Sequence, residues 1–166
     1  MMKKFYLIAL IVCCACVEVA AKKYPFKFNP NYEIEQVRVA EQGTKFVKCW
    51  GIAGNADKAI IAAQQNAIAA CIFTGVAATE TAGRIPPLCM NGPDAYQMNK
   101  EYFDQFFITG QFFEYVKMVN SRYPTGENNV KTSQGRKVGI YLQIMYDDLR
   151  KRLEHDGIIK ALDSYF

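Results

Sequence analysis

The chain has one histidine and one tryptophan, and no pair among Cys49, Cys71 and Cys89 has a metal-ligand spacing, so several kinds of chemistry lack their usual parts. A zinc site draws on closely spaced Cys and His, and His155 alone supplies none of that pattern. Nucleophilic catalysis requires Ser, Cys or Thr beside an oriented base, whereas His155 lies in the charged stretch "RKRLEHDG", where a solvated side chain is the simpler reading. "GIAGN" and "QGRKVG" carry glycines but lack the Lys-Ser/Thr ending of a phosphate loop. Asp147 and Asp148 are adjacent carboxylates at a helix start, a position that suits caps better than an acid–base pair. The net charge of +4 is too weak an excess to point to nucleic acid.

Long apolar runs are also missing. Phe5–Val17, the run that follows Lys3 and Lys4, has 13 residues, against roughly 20 for a bilayer-spanning helix. A short basic start and a short apolar core read as a secretory leader. Val19 and Ala21 stand at minus three and minus one for a cut before Lys22. Ala15-Cys16 offers a lipoprotein cut instead, with Cys13 where Leu is usual. The expected organisation is a signal peptide at 1–21, a linker at 22–32 and one domain at 33–166. Loss of Lys3, Lys4 and Glu18 with the leader lowers the net charge to +3. Of the six cysteines, Cys49, Cys71 and Cys89 remain; one disulfide with a spare thiol, or three small buried hydrophobes, both fit.

What the chain has in quantity is apolar mass, 51% hydrophobic and 13% aromatic residues, enough for the core of one domain. Two β-prone segments, 33–41 and 44–52, meet at Gln42-Gly43 and predict a hairpin. Gly51 and Gly54 lead into "ADKAIIAAQQNAIAACIFTG", with Asn55 as N-cap, Asp57 favourable to the helix dipole and Gly75 as the stop. At 100° per residue, Ala56, Ala59, Ala63, Ala67, Ala70 and Thr74 form one narrow stripe that allows close approach to a sheet. Ile61, Ile68 and Ile72 face nearly the opposite way, and Lys58, Gln65 and Ala69 fill a sector expected to be wet. Such a helix is sandwiched between the sheet and a second layer.

The second layer is expected from "YQMNKEYFDQFFITGQFFEYVKMVN", whose rings are too dense for one stripe and which Gly110 kinks or divides. As core, these rings would close the domain. As surplus, Tyr102, Phe103, Phe106, Phe107, Phe112, Phe113 and Tyr115 would form an interaction surface or line an apolar pocket. "VKTSQGRKVGIYLQIMY" predicts a second hairpin at Gln134-Gly135, with Val138, Ile140, Leu142 and Ile144 inward. A last helix follows, placing Leu149 and Leu153 inward, Arg150, Lys151 and Arg152 in water, and ending at Gly157. The fold class is therefore α+β: a small antiparallel sheet of two hairpins against an Ala-rich helix and an aromatic helical segment, with a short C-terminal helix.

"GIAGNADKAIIAAQQNAIAACI", a strand entering an alanine-spaced helix through glycines, resembles the signature of the twenty-kilodalton outer-membrane lipoprotein family and a related domain of a flagellar assembly protein. "YFDQFFITGQFFEYV" with "DDLRKRLEHDGII" is similar to small exported proteins of Bacteroidetes-type bacteria. These resemblances imply an α+β envelope domain without enzymatic activity, in the periplasm or at the outer membrane. The expectation is an exported, non-catalytic interaction or scaffold module with an envelope protein as partner. The alternative is a small apolar-ligand-binding protein. No cofactor, metal or nucleic acid is expected, the membrane would be engaged only through a lipidated Cys16, and the oligomeric state is open.

Overall fold

Period-two alternation builds the sheet, which a computed structural model shows in the context of residues 23–119 and 123–161. The leader and both of its cleavage readings lie outside the described residues. Strands β1 (Ile34–Arg38) and β2 (Lys45–Ala53) form the first antiparallel hairpin, with a register slip between Gln36 and Arg38. The turn closes with the Thr44 N–H on the Glu41 carbonyl, with Gly43 at φ +78°. Before the second hairpin, a three-residue strand β3 (Val116–Met118) emerges from the aromatic segment, where only helix was expected. Strands β4 (Asn129–Thr132) and β5 (Gly135–Ile144) then turn at Ser133-Gln134. The order is β1-β2-β5-β3, all antiparallel, and β4 shares the β3 side of β5 at its other end.

One face of this sheet is aliphatic. Val47 pairs with Leu142, Cys49 with Ile140 and Gly51 with Val138, and all five side chains beside Gly51 are 3% exposed or less. Helix α1 (Ala56–Ala69) lies on them, capped as expected by Asn55, whose side chain accepts from the Lys58 N–H at 2.9 Å. The alanine stripe makes the contact: Ala59, Ala63, Ala67 and Ala70 are fully buried. A Cβ at Gly51 would lie 2.2 Å from the Ala59 carbonyl oxygen and 2.4 Å from the Ala63 nitrogen, so backbone meets backbone there.

The end of this helix departs from expectation. Ala70–Thr74 widens into a π-turn, with Gly75 N–H on the Ala70 carbonyl at 2.7 Å. The carbonyls of Cys71 and Ile72 accept from the backbone of Leu88 and Cys89, so the returning loop satisfies groups that a regular helix end leaves open. The sector expected to be wet is dry at two of its three positions: Lys58 is exposed, but Gln65 is 4% exposed and Ala69 is buried, because a further layer covers that flank.

That layer comprises α2 (Asp94–Met98), α3 (Lys100–Ile108) and a 3-10 turn, Gln111–Tyr115. Gly110, in the left-handed region at φ +85°, divides α3 from the 3-10 turn. Helix α4 (Tyr146–His155) closes the domain with Leu149 and Leu153 buried and stops at Gly157. Its N-cap is Met145; Asp147 and Asp148, expected as caps, lie instead within the first turn, where their charge still suits the dipole. Arg152, expected in water, is drawn inward by Asp156 and Gln111.

The close contact at Gly51 leads to an expected outcome. Gly51→Ala and Ala63→Leu each overfill it and should cost about 1–3 kcal/mol. Chemical denaturation should show a lowered midpoint for both, and an unchanged midpoint would mean that the helix does not rest on β2 at this point.

Candidate functional site

The seven aromatic residues proposed as a surface lie mainly inside. Phe103, Phe106, Phe107 and Phe112 are 1% exposed or less and Tyr115 is 8% exposed, while Tyr102 and Phe113 are half-buried. Phe103 meets Phe73 edge-on at 4.7 Å, Phe106 packs on Phe107, and Phe107 on Phe112. The surplus apolar area expected of this segment is consumed within the chain.

Much of it is consumed by residues 23–32, the stretch read as a linker. Tyr24, Phe26 and Phe28 alternate with exposed Lys23, Pro25 and Lys27, and the three rings turn inward as on one side of a strand. Phe26 stacks on Phe107 at 3.9 Å, Phe28 on Tyr96 at 4.3 Å, and Tyr24 meets Phe113 edge-on at 4.9 Å. The Tyr24 N–H donates to the Ile108 carbonyl at 2.8 Å. The stretch is a strap bound across the helical layer, and "KYPFKF" was the sequence signal for it.

Between this strap, the flank of α1 and the end of β2 lies an elongated, half-open groove of about 1000 Å³. Its apolar lining includes Trp50, Ile52, Ile61 and Ala62, and its charges are Lys23, Lys27, Lys58, Glu33 and Asp57. The two acids are engaged: Lys137 Nζ lies 2.7 Å from Glu33, and Tyr123 Oη donates to Asp57 at 3.3 Å. The three lysines form no ion pair among the described residues. Gln65, on the same wall, has its Nε2 buried without a hydrogen-bond partner among the described residues.

The strand edge in this groove is half closed. Trp50 donates its N–H to the Glu33 carbonyl and accepts at its own carbonyl from Asn66 Nδ2 at 2.9 Å, so a helix side chain stands in for a strand. Two residues further along, Ile52 presents its N–H and C=O on the same side, because hydrogen-bonding direction alternates along a strand. There β1 has not begun, and no described residue bonds to either group.

Elsewhere, several polar groups satisfy one another, although Tyr32 Oη, Gln36 Oε1 and Glu154 Oε1 are buried without a hydrogen-bond partner among the described residues. On the outer sheet face Lys48 sits 4.6 Å over the Trp50 ring and Arg38 4.8 Å over Phe46. At the C-terminal end of α4, Asp156 accepts from Arg152 Nε at 2.5 Å and from Tyr102 Oη at 2.7 Å, with His155 Nδ1 at 3.1 Å. Burial opposes ionisation of Asp156, but these hydrogen bonds prevail and hold its pKa down at about 2. His155 itself is largely exposed, with its side chain at 86%. Cys49, Cys71 and Cys89 are free and buried. Burial pushes the Cys71 thiol up to about 12 and Cys89 up to about 11, and raises Cys49 further, which leaves them protonated and poor nucleophiles. Among the described residues no cluster of three His, Cys, Asp or Glu is placed to hold a metal, and no helix is long and apolar enough to cross a membrane.

No family model, curated protein or solved structure matches this chain.

The Asp156 network has a measurable signature. A carboxylate whose pKa is depressed on folding stabilises the fold above its unfolded value of 3.8, and that contribution is lost as pH falls through about 2. Asp156→Asn should therefore melt lower than the parent at pH 7, and the gap should narrow between pH 4 and pH 2. Parallel melting curves across that range would show that the network does not hold the charged form.

Proposed function

We propose that this chain is a non-catalytic interaction module of the bacterial envelope and that it binds through the groove beneath the strap. The single observation that carries the reading is the groove itself, a half-open concavity of about 1000 Å³ that gathers the strand edge at Ile52, the side chains of Lys23, Lys27 and Lys58, which form no ion pair among the described residues, and the Gln65 amide. A concave site with apolar walls and a few polar groups turned toward it is the usual form of a binding site. Export is supported by the Lys3-Lys4 leader and by the small residues at Val19 and Ala21.

A deep apolar-ligand site receives less support. The rings that would line it, from Tyr96 to Val119, close on one another and on Tyr24, Phe26 and Phe28. The groove is half open, and its wall is mixed in polarity, which suits a segment of another chain better than an engulfed small molecule.

A photo-crosslinking residue in place of Ala62 should capture one defined envelope protein in living cells, while the same residue in place of Lys131, on β4, should not. Equal capture from both positions, or capture only from the Lys131 position, would remove the groove as the interaction site.

A further inference from the structure

Granting that the groove is the binding site, we infer that its occupant is an acidic polypeptide segment in extended conformation, which adds as a short strand to the free edge of β2 at Ile52. Two independent features meet at this place. The first is backbone: Ile52 offers one N–H and one C=O toward the groove, in register with the Trp50 groups that Glu33 and Asn66 already use. A guest strand can take both without displacing any existing hydrogen bond, which is the geometry of strand addition to a sheet edge. A globular ligand has no use for a donor and an acceptor set side by side at strand spacing.

The second feature is charge. Lys23 and Lys27 stand on the strap side of the groove and Lys58 on the α1 side, so an extended guest runs between cations. Glu33 is charge-paired with Lys137, whereas Asp57 accepts from the neutral Tyr123 hydroxyl and keeps its charge, so three lysines face one unpaired carboxylate and the excess is positive. A basic guest would meet like charge on both walls; an acidic one would meet complementary charge and would also arrive faster. On the α1 side Ile61 and Ala62 provide apolar footing for every second side chain of a strand, and the 44% exposed Ile52 lies beside the alternate ones on the outer face of the sheet. Gln65, 4% exposed on the same wall, has its Nε2 buried without a partner among the described residues, and a change of its rotamer would bring this donor to a guest carbonyl or carboxylate. The guest's own pattern follows: acidic and small aliphatic residues in alternation, free of proline at the pairing position.

The test uses the purified full chain and a fluorescent eight-residue peptide alternating Val and Glu, followed by polarisation. Three comparisons are made on the unaltered protein: a Val-Lys peptide of equal length, a Val-Glu peptide N-methylated at alternate residues, and oleate. The Val-Glu peptide should bind at least about tenfold more tightly than either altered peptide, and raised salt should weaken it. On saturation the Ile52 amide should exchange with solvent more slowly, as a paired strand N–H does. Lys27→Glu combined with Lys58→Glu should weaken binding at least about tenfold, and Lys131→Glu less than about twofold, with melting temperatures checked for each. If the double variant does not fold, the peptide comparisons still decide. Equal binding of the Val-Lys peptide overturns the acidic occupant, and equal binding of the N-methylated peptide with an unprotected Ile52 overturns strand addition. Binding of oleate with no binding of the Val-Glu peptide overturns both in favour of an anionic amphiphile. Envelope capture at Ala62 with failure here would leave the groove as a site and refute this occupant alone.

Discussion

The approach of α1 to the sheet at Gly51 governs the rest of the architecture. With no side chain on that residue and only methyl groups on Ala59 and Ala63, helix and strand meet through backbone atoms. Large side chains here would lift the helix off the sheet and open space that Val47, Leu142 and Ile144 could not fill. The small stripe therefore makes a thin first layer. It also shifts the demand for apolar volume to the far side of the helix, where Ile68, Ile72 and Phe73 are fully buried beneath a second layer.

That second layer explains why a chain so rich in rings leaves few of them outside. Short helices such as α2 and α3 are marginal on propensity alone and owe their order to packing. Phe103 and Phe106 find ring partners within the layer and on Phe73, whereas Tyr96, Phe107, Phe112 and Phe113 are completed by Tyr24, Phe26 and Phe28 of the strap. Fixing the strap in this way orders an extended segment that has almost no backbone pairing of its own beyond the Tyr24–Ile108 hydrogen bond. Ring stacking thus both completes the core and builds one wall of the groove.

The features legible in the sequence were those set by local periodicity. Both hairpins, the Asn55 cap, the alanine stripe, the break at Gly110 and the stop at Gly157 each follow from a few neighbouring residues, and each is present. The features missed were set by partners distant in the chain. The π-turn at Ala70–Thr74 exists because Leu88 and Cys89 return to bond its carbonyls. Val116–Met118 is a strand because β5 has a free edge there; its own sequence also reads as helix. Gln65 is 4% exposed although its place on α1 falls in the sector expected to be wet, and residues 23–32, expected as a linker, form the strap. The groove could not be read at all without that wall, although the lysines, Gln65 and Trp50 that line it were all visible as residues.

The management of the β2 edge connects stability to recognition. An exposed strand edge invites unwanted pairing, and proteins usually cover or charge it. Here the two groups of Trp50 are covered, one by Glu33 and one by the Asn66 side chain, so the protection continues past the last pairing of β1. It stops at Ile52, the next residue with groups facing that way. Extending β1 by two residues toward its N-terminus would have closed the gap at little cost, since Asn31 and Tyr32 are already at hand. Instead the chain turns away, the Asn31 N–H donates to the Asn29 side chain, and the Tyr32 hydroxyl is buried without a partner among the described residues. A buried hydroxyl without a hydrogen bond costs about 1–3 kcal/mol. Closing the sheet would remove the groove. Lys23 and Lys27 on the strap and Lys58 on α1 flank that opening.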